Sequence, residues 1–240
     1  MIDIHSHTLP FTDDGASDWE EALTMLRQAE QDGIQVIVLT PHISNELDFK
    51  NEREIIGRYV QLKKKARAQG LTIEIMLGSE ILIQPNLALH HRIATLNNNG
   101  IYFLTEFPMQ TIPRYAKKVF YKLIVDGYIP IIAHPERNER FLKKTQLVHD
   151  FVEIGVLMQI NSGSIEGRFG QNVKSLAFNL IENNLAHFIA SDGHKCEIRK
   201  CQLKKAWNLV AKEWGESKAR RLFIENPQKA IRGEKGITSA

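Results

Sequence analysis

The chain has 240 residues, 43% of them apolar, and a formal net charge of +3. That is enough for one large domain with a sizeable core, and so slight a basic excess does not by itself argue for nucleic acid as a partner. Two cysteines, Cys196 and Cys201, make no disulfide framework, and no apolar run approaches a membrane span, so a cytoplasmic protein not inserted in a membrane is expected.

In chain order, short β-branched apolar runs alternate with helical patterns. The runs fall at 2–4, 34–39, 73–77, 102–107, 129–133, 156–160 and 187–190. They are continuous and not alternating, which predicts buried parallel strands. After the first comes "SDWEEALTMLRQAEQDG", a helix with Ser17 and Glu20 as a capping box. Ala22, Leu23, Leu26 and Ala29 form its apolar face and Gly33 its stop. "NEREIIGRYVQLKKKARAQG" and "YAKKVFYKLIVDG" end in the same way at Gly70 and Gly127, with Lys63, Lys64 and Lys65 on a solvated face. "GSIEGRFG" at 163–170 reads as the loop leaving the sixth strand and a lip for a pocket. "RGEKGITSA" reads as a frayed tail. No linker or repeat interrupts the series, so residues 1–240 read as a single domain. Seven strand–helix units predict an α/β barrel. Pattern alone does not separate seven strands from eight, or a closed barrel from an open doubly wound sheet. Loops are short except at 8–16, 43–50 and 108–114, which implies a shallow, open site.

The chemistry gathers where the runs end. The first ends in His5 and His7, the second in "TPH" (His42), the third in "GSE" (Glu80) and the fourth in "TEF" (Glu106). The fifth ends in "AHPER" (His134), the sixth in "QINSGS" (Asn161) and the seventh in "SDGH" (Asp192 and His194). The loop after the first run adds Asp13 and Asp14. In a barrel of parallel strands these ends share one face. In the H-x-H spacing both imidazoles of an extended segment point the same way. A lone polar residue at a strand end usually only bonds its loop. Five of the nine histidines at such ends, with Asp14, Glu80, Glu106 and Asp192 beside them, predict a multinuclear metal site. His90, His91, His149 and His187 lie in helical patterns or at a strand start and read as structural or exposed. Imidazoles and carboxylates without a thiolate suit Mn, Fe or Zn better than copper(I) or an iron–sulfur cluster.

The motifs "MIDIHSHTLP…DDGA", "TPH", "GSE", "TEFP", "IAHPERN" and "IASDGH" resemble, in order, those of the PHP superfamily (polymerase and histidinol phosphatase). The resemblance is closest to the bacterial manganese-dependent tyrosine-protein phosphatases of capsule and exopolysaccharide loci. It runs from Met1 to about Pro227. It implies a distorted (β/α)7 TIM-like barrel, the PHP fold, with a three-metal Mn2+ site. One ion would take His5, His7, Glu80 and Asp192. A second would share Glu80 and add Glu106 and His134. The third would take Asp14, His42 and His194. Arg137 and Arg199 look suited to gripping phosphate, the alternative for both being a surface salt bridge. The implied substrate is the tyrosine-phosphorylated tail of a membrane-associated bacterial tyrosine kinase that regulates polysaccharide synthesis and export. The segment Lys195-Cys196 departs from relatives, which often carry Asn after the His.

Metal ions in such a set attract a phosphate dianion, acidify water and stabilise the leaving oxygen. Three rival mechanisms have little to rest on. A cysteine-dependent phosphatase needs an Arg six residues after its thiolate, where this chain has Gln202 and Trp207. There is no G-x-x-x-x-G-K-[ST] loop. No interleaved basic and aromatic strip supports a nuclease. A small-molecule phosphatase such as histidinol phosphatase remains an alternative on the same residues, and a nonenzymatic PHP scaffold is disfavoured by the intact ligand set.

Overall fold

The apolar runs become strands β1 (Ile2–Ser6), β2 (Val36–Leu39), β3 (His42–Ile43), β4 (Glu74–Leu77) and β5 (Glu80–Leu82), then β6 (Tyr102–Glu106), β7 (Ile129–Ala133), β8 (Leu157–Asn161) and β9 (Phe188–Ala190). This is a computed structural model, and it describes residues 1–45 and 48–238. All strand pairings are parallel. One sheet has the order β1-β2-β4 and the other β3-β5-β6-β7-β8-β9. The second and third predicted strands are each followed, after Thr40-Pro41 and after Gly78-Ser79, by a short further strand that the sequence reading does not include. Proline has no N–H to give the ladder, so the run breaks there and resumes in the other sheet. Gly78 N–H to Leu39 O at 2.9 Å and Glu80 N–H to Pro41 O at 3.1 Å carry the pairing across the break. At the other seam Ser6 bridges Gly193, and Asp192 N–H reaches His5 O at 2.9 Å.

Successive strand residues enter two different cores. Ile4, Tyr102, Leu104 and Ile131 pack in an inner cluster. Phe103, Ile132 and Ile189 pack in an outer one, against the helices. With both strand faces buried, the strands have no polar side to show, which is why the runs are continuous.

The outer layer contains α1 (Trp19–Gln31), α2 (Glu52–Ala68), α3 (Ala116–Val125), α4 (Glu139–Lys143), α5 (Gln146–Val152), α6 (Ser162–Glu166), α7 (Gln171–Glu182), α8 (Lys204–Trp214), α9 (Glu216–Arg220) and α10 (Asn226–Arg232). The apolar face of α1 is as expected, with Met25 added. Its cap is not. Asp18 accepts from the N–H groups of Glu20 and Glu21, both at 2.9 Å. A charged acceptor at the helix N-terminus serves better than a hydroxyl. Ser17 instead gives its N–H and its hydroxyl to the Glu21 carboxylate, at 2.8 and 2.5 Å. Three other expectations change. The 163–170 segment begins inside the short helix α6. His90 and His91 lie in a stretch, 83–95, that has neither helix nor strand, and His91 stacks on Phe49 at 4.2 Å. Residues 233–238 are docked and not frayed. Tyr102 donates to Glu234 O at 2.7 Å, Asn226 to Thr238 O at 2.7 Å, and Ile237 packs on the inner core.

His187 is structural, as its place at a strand start suggested. It is buried, and its Nδ1 accepts the Met158 N–H at 3.1 Å. Burial pushes its pKa down to about 4 from 6.5. As pH falls below 6.5, an unfolded chain takes a proton that the folded chain refuses until about 4. Stability is therefore lost across that window, by at most about 3 kcal/mol at 1.36 kcal/mol per unit. His187→Asn can offer an oxygen to the same N–H but does not titrate. Urea midpoints at pH 7 and pH 5 should fall further apart in wild type than in this variant. Equal differences refute the assignment.

Candidate metal centre

β1 brings His5 and His7 to the mouth of the sheets. Between Asp3 and Ser6 its register against β2 slips by one residue. Such a bulge re-aims side chains, here those just beyond the inner-core residue Ile4. His42 opens β3 directly opposite Glu80, which opens β5. Glu106 closes β6. His134 follows β7, and Asp192 and His194 follow β9. His134 and Asp192 sit in the left-handed region, with φ of 36° and 51°. L-residues held there are strained, and such strain collects at functional sites.

All nine predicted residues converge, and Glu80 is the hub. Its Oε2 lies 3.2 Å from His5 Nε2, 3.3 Å from His7 Nε2 and 3.2 Å from His42 Nδ1. Its Oε1 lies 2.9 Å from His134 Nε2. Glu106 adds Oε1 at 3.3 Å from His42 Nδ1. Asp192 Oδ1 stands 3.5 Å from both His5 Nε2 and His194 Nδ1. Asp14 Oδ1 stands 3.4 Å from His194 Nε2 and 3.7 Å from His42 Nε2. Three groups have ligating atoms within 4.8 Å of one another: His5, His7 and Glu80; His7, Asp14, His42 and His194; His42, Glu80 and Glu106. They overlap at His7, His42 and Glu80, so they do not divide as cleanly as the implied partition.

The donor set fits cations. Glu80 Oε2 is buried and accepts no hydrogen bond, although three imidazole nitrogens face it. His5 Nε2 lies 3.1 Å from His7 Nε2. Lone pairs crowded together out of water are costly unless protons or metal ions sit between them. Burial disfavours charge on His7, but Asp13 and Glu80 outweigh it and lift its pKa to about 9. Burial likewise opposes charge on His42, and Glu106 and Glu80 lift it to about 9. Burial opposes ionisation of Glu80 and Asp192 too, yet the imidazoles, His5 above all, hold both below the usual carboxylate range. Metal binding must therefore displace protons.

A second layer orients the imidazoles. Asp13 Oδ2 meets His7 Nδ1 at 2.8 Å and also accepts the His42 N–H at 3.0 Å. Gln159 Oε1 meets His5 Nδ1 at 2.8 Å. With Nδ1 carrying the proton, Nε2 is left with its lone pair toward the centre. Asn161 donates to Asp192 Oδ2 at 2.6 Å, and Glu136 accepts the Asn161 N–H at 2.9 Å and the Ser164 hydroxyl at 2.5 Å.

Arg137 and Arg199 both reach that same Asp192 Oδ2, at 2.9 and 2.6 Å. Both arginines do make a salt bridge, but to a buried carboxylate and not on the open surface. Arg199 Nε is buried with no acceptor. Arg137 lies over the Phe169 ring at 4.4 Å, so the 163–170 segment does border the site. Beside the centre opens a cleft of about 610 Å³, lined by Phe11, Asp14, His42, Asn51, Arg58 and Glu106 among others. Cys201 is buried beneath Thr8 and Gly193, and burial pushes its thiol up to about 12. Neither cysteine is set up as a nucleophile.

Among known proteins, the family model described as "Capsular polysaccharide synthesis, CpsB/CapC" matches residues 1–232. The chain belongs to the CpsB/CapC family. It is 38% identical over 239 residues to the tyrosine-protein phosphatase YwqE of Bacillus subtilis (strain 168), covering 98% of this chain and 92% of that one. To the tyrosine-protein phosphatase CpsB of Streptococcus pneumoniae it is 32% identical over 240 residues, covering 96% and 98%. A solved structure matches with a TM-score of 0.90 at 37% identity, covering 98% of this chain and 96% of the other. It comes from the crystal structures of YwqE and CpsB, described as unique metal-dependent tyrosine phosphatases.

In this CpsB/CapC chain, sequence reasoning left three residues of the site without a role. Asp13 stands beside Asp14 with no motif of its own. Glu136 lay unread inside "AHPER". Gln159 has one legible signal, an amide set between the apolar Met158 and Ile160 of β8. Among the described residues no helix is long and apolar enough to cross a membrane.

Proposed function

We propose that this chain is a metal-dependent protein-tyrosine phosphatase, a phosphoric monoester hydrolase. The observation that carries the reading is the convergence of five imidazoles on Glu80 and Asp192, with Asp14 and Glu106 against the same imidazoles and two guanidinium groups on Asp192. The proposed ligands are His5, His7, Asp14, His42, Glu80, Glu106, His134, Asp192 and His194, holding Mn2+ in a three-metal site. When bound, such ions supply an acidified water and neutralise charge on the phosphoryl oxygens. The two sheets then read as arcs of one distorted (β/α)7 barrel within a single domain, 1–240. Its support is the pairing carried past Pro41 and the Ser6–Gly193 bridge.

The chain's own groups have separable tasks. Asp13 and Gln159 fix the tautomer and direction of His7 and His5. Arg199 Nε is a donor in want of an acceptor, and a phosphoryl oxygen is one. Phe169 holds the Arg137 fork in plane. The open cleft takes the phenol ring and the peptide that carries it, where a small metabolite is better served by an enclosing pocket. A phenol has a pKa of about 10, so its oxygen leaves with little help from a general acid. The family's place in capsular polysaccharide synthesis favours, as substrate, the phosphorylated tyrosine tail of a membrane-associated bacterial kinase, met in the cytoplasm.

The test compares kcat/KM on a phosphotyrosine peptide, the matching phosphoserine peptide and histidinol phosphate. Phosphotyrosine should lead phosphoserine by at least about tenfold, some 1.4 kcal/mol in transition-state stabilisation. A lead of about a hundredfold for histidinol phosphate replaces this reading with that of a small-molecule phosphatase.

A further inference from the structure

Lys195 immediately follows His194. Its ammonium donates to the carbonyl of Gly15 and lies 3.4 Å from Glu21 Oε2. Gly15 follows Asp14, and the chain there is pressed onto β1: a Cβ on Gly15 would lie 1.9 Å from His7 O. Gly15 N–H is tied to Asp13 Oδ1 at 2.9 Å, and Ala16 N–H to His7 O at 3.0 Å. The Glu21 carboxylate that faces Lys195 also holds Ser17, through the N–H and the hydroxyl. Lys195 is thus the centre of a latch. It joins the segment bearing Asp192 and His194 to the loop bearing Asp13 and Asp14.

The latch lies beside the weakest part of the centre. Asp14 has a side chain 69% exposed and His42 one 29% exposed, while the side chains of His5, His7 and Glu80 are sealed. An exposed carboxylate loses side-chain freedom when it ligates an ion, and backbone left loose would add to that cost. A lysine gripping the next residue's carbonyl removes the backbone share. It also sets the separation of Asp14 from His194, now 3.4 Å between Oδ1 and Nε2.

We propose that Lys195 is a positioning residue that preorganises Asp14 and His194 for the ion at the rim of the centre. The inference rests on the metal-centre reading above. It acts most directly on one ion: Lys195 touches the Asp14 loop and follows His194, whereas Glu80 and its partners His5, Glu106 and His134 make no bond to it or to Gly15.

The experiment titrates Mn2+ into metal-free protein by calorimetry, with stoichiometry from elemental analysis. It compares wild type, Lys195→Met, Lys195→Arg and Glu21→Gln. The loop keeps its bonds to His7 and Asp13 in every variant, so folding is retained and is checked by circular dichroism. In Lys195→Met the weakest binding step should lose affinity by about tenfold, the low end for residues that orient ligands, while the tighter steps stay put. Lys195→Arg should recover most of the loss, and Glu21→Gln should show a smaller loss in the same step. Unchanged affinities in Lys195→Met overturn the inference, as does an equal fall in every step, which marks a general effect on stability. A wild type that takes up no Mn2+ overturns the reading of the centre, and this inference with it.

Discussion

Glu80→Ala should leave a folded protein that retains less metal and has lost at least about a thousandfold in kcat/KM. The carboxylate lies within 3.3 Å of four imidazoles, from His5, His7, His42 and His134. Its removal takes a shared anion from the middle of the donor set, so more than one ion should lose affinity. The backbone of residue 80 keeps its bond to Pro41 O and its pairing with His42 and Leu104, which is why the fold should survive. Chelation of the wild type should have the same effect on rate, and added Mn2+ should reverse it there but not in the variant. Metal-to-protein ratio and circular dichroism are to be read beside turnover. Full activity in a preparation shown to be metal-free would falsify the metal-centre reading.

Arg199→Ala should cost about a hundred- to a thousandfold in kcat/KM while metal content stays at the wild-type level. A charge-assisted hydrogen bond is worth about 1.5–3 kcal/mol, and a guanidinium can give a phosphoryl group two of them. At about 1.4 kcal/mol per decade, the lower part of that sum, about 3 to 4 kcal/mol, gives this range. Arg137→Ala should behave alike with a smaller loss, and Arg→Lys should rescue neither fully, since a point charge cannot replace a fork. Loss of metal together with loss of rate would mean that these arginines only brace Asp192.

The strands were legible because both of their faces are buried, so that no polar periodicity interrupts 102–107 or 129–133. The residues that converge were legible for a related reason: all but Asp14 stand at or just past the end of an apolar run, and a polar group at that point has to be explained. The breaks at Pro41 and at Gly78-Ser79 were not, because proline and glycine also occur at ordinary strand ends. The cap of α1 was misplaced by one residue because Ser17 and Asp18 are both good caps, and only the Glu21 side chain decides between them. The docked tail was missed for want of any local signal: it is held by Tyr102 and Asn226, which lie in other elements. Gln159 and Glu136 escaped for the same reason, since the role of an orienting group depends on what stands across the sheet from it. The double use of Asp192, as candidate ligand and as anchor for two arginines, is likewise a fact of three dimensions.

The packing of Cys201 bears on how the protein meets oxidants. Peroxide and electrophiles silence many phosphatases by attacking a low-pKa, solvent-reachable sulfur. Cys201 offers no such handle: it is sealed under the site, with Sγ 3.4 Å from Thr8 Oγ1 and so close to Gly193 that a Cβ there would lie 2.4 Å away. Sulfenic acid has little room to form there, and burial disfavours the thiolate it forms from. Silencing through Cys201 is therefore closed to this protein, and of the two thiols only the partly exposed Cys196 is within reach of peroxide.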